Sequence, residues 1–374
     1  MTPCTARSTP RCRLPSCAAI PTSPSWWTRP LPACCNHCNI KKGMPPRHSF
    51  FDKRRGFMSR RGIIVHPHEL DDIWAEEAQS ANLNVLGLHP VGGPDAHLTL
   101  ESAIHFHLLP ESKRLFKKLD KMGMQVEYEA HAMRWLLPED VFASAPSLFR
   151  MDEQGNRQKD YNLCVSNPDA LRFIAKRAEH LARMLTVNSD NYFFWLDDVP
   201  GIRCHCEKCR ALSASDQQLI AVNAMVKGIR RYNRNARLCY LAYMDAIHCP
   251  QKVAPANGVF LEYAPFYRDS HRPLFDETCE KNVREVAALR DLLSLFGTQH
   301  AQVLEYWMDN SRFSNWTRPP KYMPLDEAVM AQDVQAYRAL GFASITSFGC
   351  YLGADYRELY GKAPVAAYGR LLAE

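Results

Sequence analysis

Acidic and aromatic residues stand together at the ends of apolar runs in this sequence. Glu127, Glu129 and His131 alternate, so an extended chain carries all three on one face. Trp195-Leu-Asp197-Asp198 closes a second run and Tyr243-Met-Asp245 a third, while Glu262 lies within a fourth. Glu305, Trp307 and Asp309 alternate through a fifth, and His66 and His89 end two more. Paired carboxyls serve as general acid and as base or nucleophile in glycoside hydrolysis, and aromatic faces stack on sugar rings. A single acid at a strand end is an ordinary solvated or salt-bridged group. Several converging on one rim carry the argument, because gathering charges together is costly without a purpose.

The Asp197-Asp198 pair is the most pointed feature. Neighbouring residues of an extended chain face opposite ways, so one carboxyl reaches the site while the other orients a neighbour or caps the following segment. Nearby acids also push each other's proton affinities apart, which an acid/base pair needs. On this reading Asp198 is the general acid, Asp197 its orienting partner, Glu305 the nucleophile or base, and Glu262 the reserve for that part. Trp195, Trp307 and Tyr243 form a sugar platform, with His66, His89, Glu129 and His131 binding hydroxyls. Within the long stretch 134–167, Arg150, Arg157 and Asn162 are further contacts, and Arg268 and His271 could clamp a carboxylate or hydroxyl.

Cys204-His-Cys206-x-x-Cys209 follows the acid pair directly. Three thiols suit zinc, with a fourth ligand from His131, Cys164 or His248. The alternative is a reduced thiol cluster that steadies the loop, and the lack of a second C-x-x-C after residue 61 favours it. No cofactor is expected beyond such a structural zinc.

These side chains require elements that bring strand ends together. Apolar runs at 62–66, 84–90, 125–133, 191–198, 237–246, 258–266, 301–309 and 343–350 read as eight strands. Helical spacing fills 69–82, 110–123, 168–185, 215–232, 281–296 and 326–340, and the fifth strand is followed by a Pro-containing connection without a helix. Such alternation predicts a single α/β fold, a parallel (β/α)8 TIM-type barrel with a degenerate fifth helix, whose functional groups lie at the C-terminal strand ends. A doubly wound sheet is disfavoured, since no G-x-G-x-x-G or G-x-x-x-x-G-K-[ST] follows any strand.

The 374 residues carry 46 Lys and Arg against 40 Asp and Glu, unevenly placed. Residues 1–61 hold 12 of the basic residues and one acid, leaving a mildly acidic body that does not suit nucleic acid. Nine prolines and six cysteines crowd the first 46 residues, without hydrophobic period or an apolar signal segment. Residues 1–57 therefore read as a disordered extension preceding a start at Met58, with the barrel over 58–374. No apolar run approaches a membrane span, and eight cysteines in the body fit a reducing cytoplasm.

Phe194-Trp-Leu-Asp-Asp198, the Cys204–Cys209 motif, Leu212-Ser-Ala-Ser-Asp-Gln217, Tyr240-Leu-Ala-Tyr243 and Phe260-Leu-Glu-Tyr-Ala-Pro265 together resemble the domain-of-unknown-function family numbered 4838. The resemblance runs from about residue 62 to 350. Members are similar to glycoside-hydrolase barrels, notably family 20 hexosaminidases and α-glucuronidases. In family 20 an Asp-Glu pair after the fourth strand orients the substrate acetamide and donates the proton, and Asp197 and Asp198 stand at the matching place. Asp198 is one methylene shorter than Glu, which sets its proton further from a glycosidic oxygen. The resemblance thus implies a glycoside hydrolase acting on a small oligosaccharide or glycoside. A carbohydrate-binding barrel without catalysis and a zinc-dependent hydrolase built on the cysteine loop are the alternatives.

Overall fold

Each expected apolar run forms a strand in the computed structural model, which describes residues 59–374; the expectations for 1–57 and Met58 lie outside these. The strands are β1 (Arg60–Val65), β2 (Val85–Leu88), β3 (Gln125–His131), β4 (Asn191–Trp195), β5 (Arg237–Ala242), β6 (Val259–Tyr263), β7 (Gln302–Glu305) and β8 (Ser344–Phe348). They pair in parallel in chain order, and β1 also pairs with β8, closing an eight-stranded barrel. The register sets Ile64 beside Gly87 and Phe348, Glu129 beside Phe193, and Glu305 beside Ser347.

Both faces of these strands are buried. One set of residues, among them Ile64, Phe193, Trp195, Cys239, Leu241, Phe260, Leu304 and Phe348, forms a cluster inside the barrel. The alternate set, including Ile63, Val65, Phe194, Tyr240, Leu261, Val303 and Ile345, joins the larger core beneath the helices. This is the period-two division that closes a barrel on one side and packs helices on the other.

The helix Pro168–Met184 shows how local signals place this layer. Pro168 stands at its first position, the Asn167 side chain accepts from Asp169 N–H, and Ala170, Ile174, Ala178 and Leu181 form its buried face. It packs on the helix Ala214–Ile229, which Ser213 and Asp216 cap reciprocally. Gly228 permits the close approach: a Cβ there would lie 2.0 Å from the Ala175 carbonyl oxygen.

After β5 only a short 3-10 turn, Met244–Ile247, stands in the helix's place, as expected. The expected 281–296 helix is broken into Glu280–Val286 and Leu289–Phe296. Helices Ala96–Leu108, Ala354–Tyr360 and Val365–Ala373 were not expected; the first carries apolar residues around most of its circumference, so its period is weak.

Candidate active site

At the C-terminal ends of the strands a cleft of about 440 Å³ opens, a size typical of small-molecule sites. Trp195, Tyr243, Phe266, Tyr306, Trp316, Phe348 and Tyr351 supply aromatic walls, and His66, His89, His131, Asp198 and Asp309 supply polar groups. Of the residues expected at a sugar site, His66, His89, His131, Trp195, Tyr243 and Asp198 all reach this one cleft.

Two carboxyls enter it from different strand ends. Asp198, three residues beyond β4, accepts the Tyr243 hydroxyl at 2.9 Å and lies 3.8 Å from His131 Nε2. Gly92 packs against it so tightly that a Cβ at that position would stand 3.0 Å from Asp198 Oδ2 and from the His131 ring. Asp309, four residues beyond β7, accepts Ser311 Oγ–H at 2.5 Å and caps the turn Asn310–Phe313. Burial pushes its carboxyl above the usual range. Burial, and then the neighbouring Asp309, raise the pKa of the buried Tyr306 phenol.

The three histidines are oriented alike. His66 Nδ1 pairs with the His89 carbonyl (2.8 Å), His89 Nδ1 with the Glu129 carbonyl (2.8 Å) and His131 Nδ1 with the Leu196 carbonyl (2.7 Å). A carbonyl oxygen only accepts, so each Nδ1 carries the proton. Burial lowers the pKa of His66, and of His89 further, keeping those rings neutral. Their Nε2 atoms then carry the lone pair and can accept a ligand hydroxyl.

Beneath the floor lies a layer of buried acids. Trp195 Nε1–H donates to Glu262 (2.8 Å), which also accepts from Gln302 (3.1 Å); burial raises its carboxyl to about 7. Glu129 is fully buried, and burial, then the neighbouring Glu262 charge, raise its carboxyl well above the usual range. Lower still, Glu127 accepts from Arg60 (2.6 Å) and Ser189 (2.7 Å). Glu127, Glu129 and His131 share the inner face as expected, but only His131 lines the cleft. Glu129 and Glu262 support its floor.

Other expected site residues lie elsewhere. Asp197 turns from the cleft into a neighbouring cavity of about 70 Å³, where it accepts the backbone N–H of Asn162 (2.7 Å) and Arg134 (3.2 Å); burial raises it to about 7. Asn162 belongs to the same cavity. Glu305, Trp307 and Arg268 face outward, into the helix layer. Arg268 bridges Glu305 and Asp333 at 2.7 Å each, Tyr337 donates to Glu305 (2.6 Å), and Trp307 Nε1–H donates to Asp333 (3.0 Å). This corrects the sequence expectation that Glu305 faces a substrate, that Arg268 clamps one and that Trp307 stacks on one. β7 ends at Glu305, and the turn beyond it delivers Tyr306 and Asp309 to the cleft instead. Arg150 is likewise committed, to Asp160 (2.7 Å).

Two groupings among the described residues could hold a metal. The sulfurs of Cys164, Cys204, Cys206 and Cys209 all lie within 4.8 Å of one another, so Cys164, rather than His131 or His248, completes the motif. His66, Glu69 and Cys350 also converge, but Glu69 is bound to Arg318 (2.6 Å) and the Tyr351 N–H (2.9 Å). Asp309 and Tyr306 were within reach of the sequence, lying in an acidic-aromatic run at a strand end. Trp316 and Tyr351 come from loops without periodic signal.

A search of curated proteins finds no match. Among solved structures, Gan42B, a GH42 β-galactosidase, is similar at 12% identity and a TM-score of 0.50, over 86% of this chain and 57% of that one. A β-galactosidase from Rahnella sp. R3 (14% identity, TM-score 0.48, 86% and 56% coverage) and an O-GlcNAc hydrolase variant from Thermobaculum terrenum (12%, 0.48, 85% and 59%) are further similar structures. The chain thus spans a little over half the length of these structures, and the likeness is one of fold, the closed (β/α)8 barrel. No helix among the described residues is long and apolar enough to cross a membrane. Residues 100–359 match the family described as Domain of unknown function (DUF4838), well over half of the sequence, and the protein belongs to that family.

Proposed function

We propose that this protein is a glycoside hydrolase acting on a small oligosaccharide or glycoside in the cleft at the barrel mouth. The observation that carries this reading is the convergence of Asp198 and Asp309, from the ends of β4 and β7, on one cleft walled by aromatic rings. Carboxyls flanking a glycosidic bond, with ring faces for the sugar, are what hydrolysis through an oxocarbenium-like transition state requires. His66 and His89 line this cleft, and their Nε2 atoms accept sugar hydroxyls.

The roles follow from environment. Burial raises the Asp309 carboxyl above its ordinary range, which fits it better than Asp198 to protonate the leaving oxygen. Asp198, more open and holding the Tyr243 hydroxyl, acts as carboxylate base or nucleophile. This exchanges the part expected for Asp198 from sequence and replaces Glu305 with Asp309. The eight unbridged cysteines of the described residues support a reducing, cytoplasmic setting. A panel of aryl glycosides and glucuronides, incubated with the purified full-length chain, tests the reading. Release from at least one sugar, abolished by Asp198→Asn, is expected; silence from a folded protein across the panel and natural disaccharides rejects it.

A further inference from the structure

The loop after Asp198 and the insertion after β3 meet at four thiols. Cys204, Cys206 and Cys209 come from the loop and Cys164 from the insertion, and Cys164 Sγ stands 3.7 Å from Cys206 Sγ. Four thiolates around zinc, each at about 2.3 Å in a tetrahedron, set their sulfurs about 3.8 Å apart. A disulfide, by contrast, needs its sulfurs at about 2.05 Å and engages only two of them.

The surroundings suit a metal centre rather than four neutral thiols. Zinc with four thiolates carries net negative charge, and the Arg157 guanidinium, held by the Phe149 carbonyl (2.6 Å), is close enough to interact electrostatically with Cys164, Cys204 and Cys206. Met151 N–H donates to Cys204 Sγ (3.4 Å), and Ser166 Oγ touches both Cys164 Sγ (3.3 Å) and Cys206 Sγ (3.4 Å). Gln217 braces the loop, accepting from Cys204 N–H (3.0 Å) and donating to the carbonyls of Cys204 (2.9 Å) and Cys209 (3.1 Å). Such outer contacts orient ligands around a metal. His205, inside the motif, is turned away: its ring faces Glu153.

We infer that Cys164, Cys204, Cys206 and Cys209 bind one Zn²⁺ as a structural centre that clasps the insertion to the β4 loop. Loading displaces the thiol protons and fills the tetrahedral shell, so no position remains for a water or substrate. The ion therefore holds structure and does not hydrolyse. It fixes two stretches of the site wall together. Asn162, two residues before Cys164, donates its backbone N–H to Asp197, and Asp198 leads into the cysteine loop. The centre stands whatever reaction the cleft performs.

Elemental analysis of the full-length protein is expected to give one zinc per chain. Exchange with Co²⁺ is expected to give the intense thiolate-to-cobalt absorption of a tetrahedral four-sulfur site, a readout needing no variant. Cys164→Ser and Cys206→Ser each lose most of the zinc, while His205→Ala keeps it. Stripping zinc exposes four thiols to a thiol reagent and lowers Tm. Folded protein holding under about a tenth of an equivalent with a Tm indifferent to added zinc, iron in zinc's place, or loss of metal in His205→Ala would each overturn the inference.

Discussion

Trp195 donates its indole N–H to Glu262 at 2.8 Å, so the aromatic floor of the cleft is hydrogen-bonded to the acid layer inside the barrel. The connection continues downward: Gln302 donates to Glu262 (3.1 Å), accepts from Ser344 Oγ–H (2.8 Å), and Ser344 accepts from Arg60 (3.3 Å). A polar chain thus runs from Arg60 at the start of β1 to the aromatic floor of the cleft. Buried networks of this kind fix one arrangement when satisfied and are costly when broken.

The carboxyl roles separate by leaving group. Asp198→Asn and Asp309→Asn should each lower turnover by roughly 10²–10⁴-fold on ordinary aryl glycosides. With a strongly acidic phenol as leaving group, Asp309→Asn should recover most of its rate, because no proton need be donated, while Asp198→Asn should not. Recovery in Asp198→Asn alone would restore the assignment of Asp198 as the acid.

Gly92 tests how tightly the cleft holds Asp198. Its missing side chain leaves the space that a Cβ would occupy 3.0 Å from the carboxyl and from His131. Gly92→Ala should lower kcat/KM by about tenfold or more through displacement of Asp198, with Tm nearly unchanged. A large fall in Tm with intact activity would assign Gly92 to packing.

Arg268 is a structural group in this fold. Arg268→Met leaves Glu305 and Asp333 buried without their cation, and should destabilise by roughly 3–5 kcal/mol. The triple change Arg268→Met, Glu305→Gln, Asp333→Asn should recover part of that loss, measured by denaturant unfolding. Wild-type stability in the single variant, with a raised KM, would return Arg268 to the substrate.

The buried acid layer predicts a pH trend. Folding raises Glu262 from its ordinary 4.5 to about 7. Below the lower value both states hold the proton and the fold loses nothing; as pH rises towards the higher one the unfolded chain ionises first, and stability falls until the folded carboxyl ionises too. Glu262→Gln removes this titration. Tm of the variant relative to wild type should therefore rise steadily between pH 5 and 7 and level off above it. A constant difference would mean that Glu262 titrates normally.

Much of the architecture was legible because eight apolar runs each ended in polar or aromatic residues at the point where a barrel strand must stop. The rim residues His66, His89, His131, Trp195, Tyr243 and Asp198 were readable for the same reason. Glu305, Trp307 and Arg268 were not. Alternation says that residues share a face, but both faces of a barrel strand are apolar and buried, so it does not say which face is which.

The sequence by itself determined the parallel eightfold alternation, the missing fifth helix, the acid pair after β4 and the thiol-rich loop that follows. Only the closed structure decided that Asp309 joins Asp198 in the cleft, that Arg268 meets Glu305 and Asp333, and that Cys164 meets Cys204, Cys206 and Cys209. These are meetings between segments far apart in the chain. Local spacing sets where a side chain lies on its own strand or turn, whereas barrel closure and the packing of the insertion set what it meets.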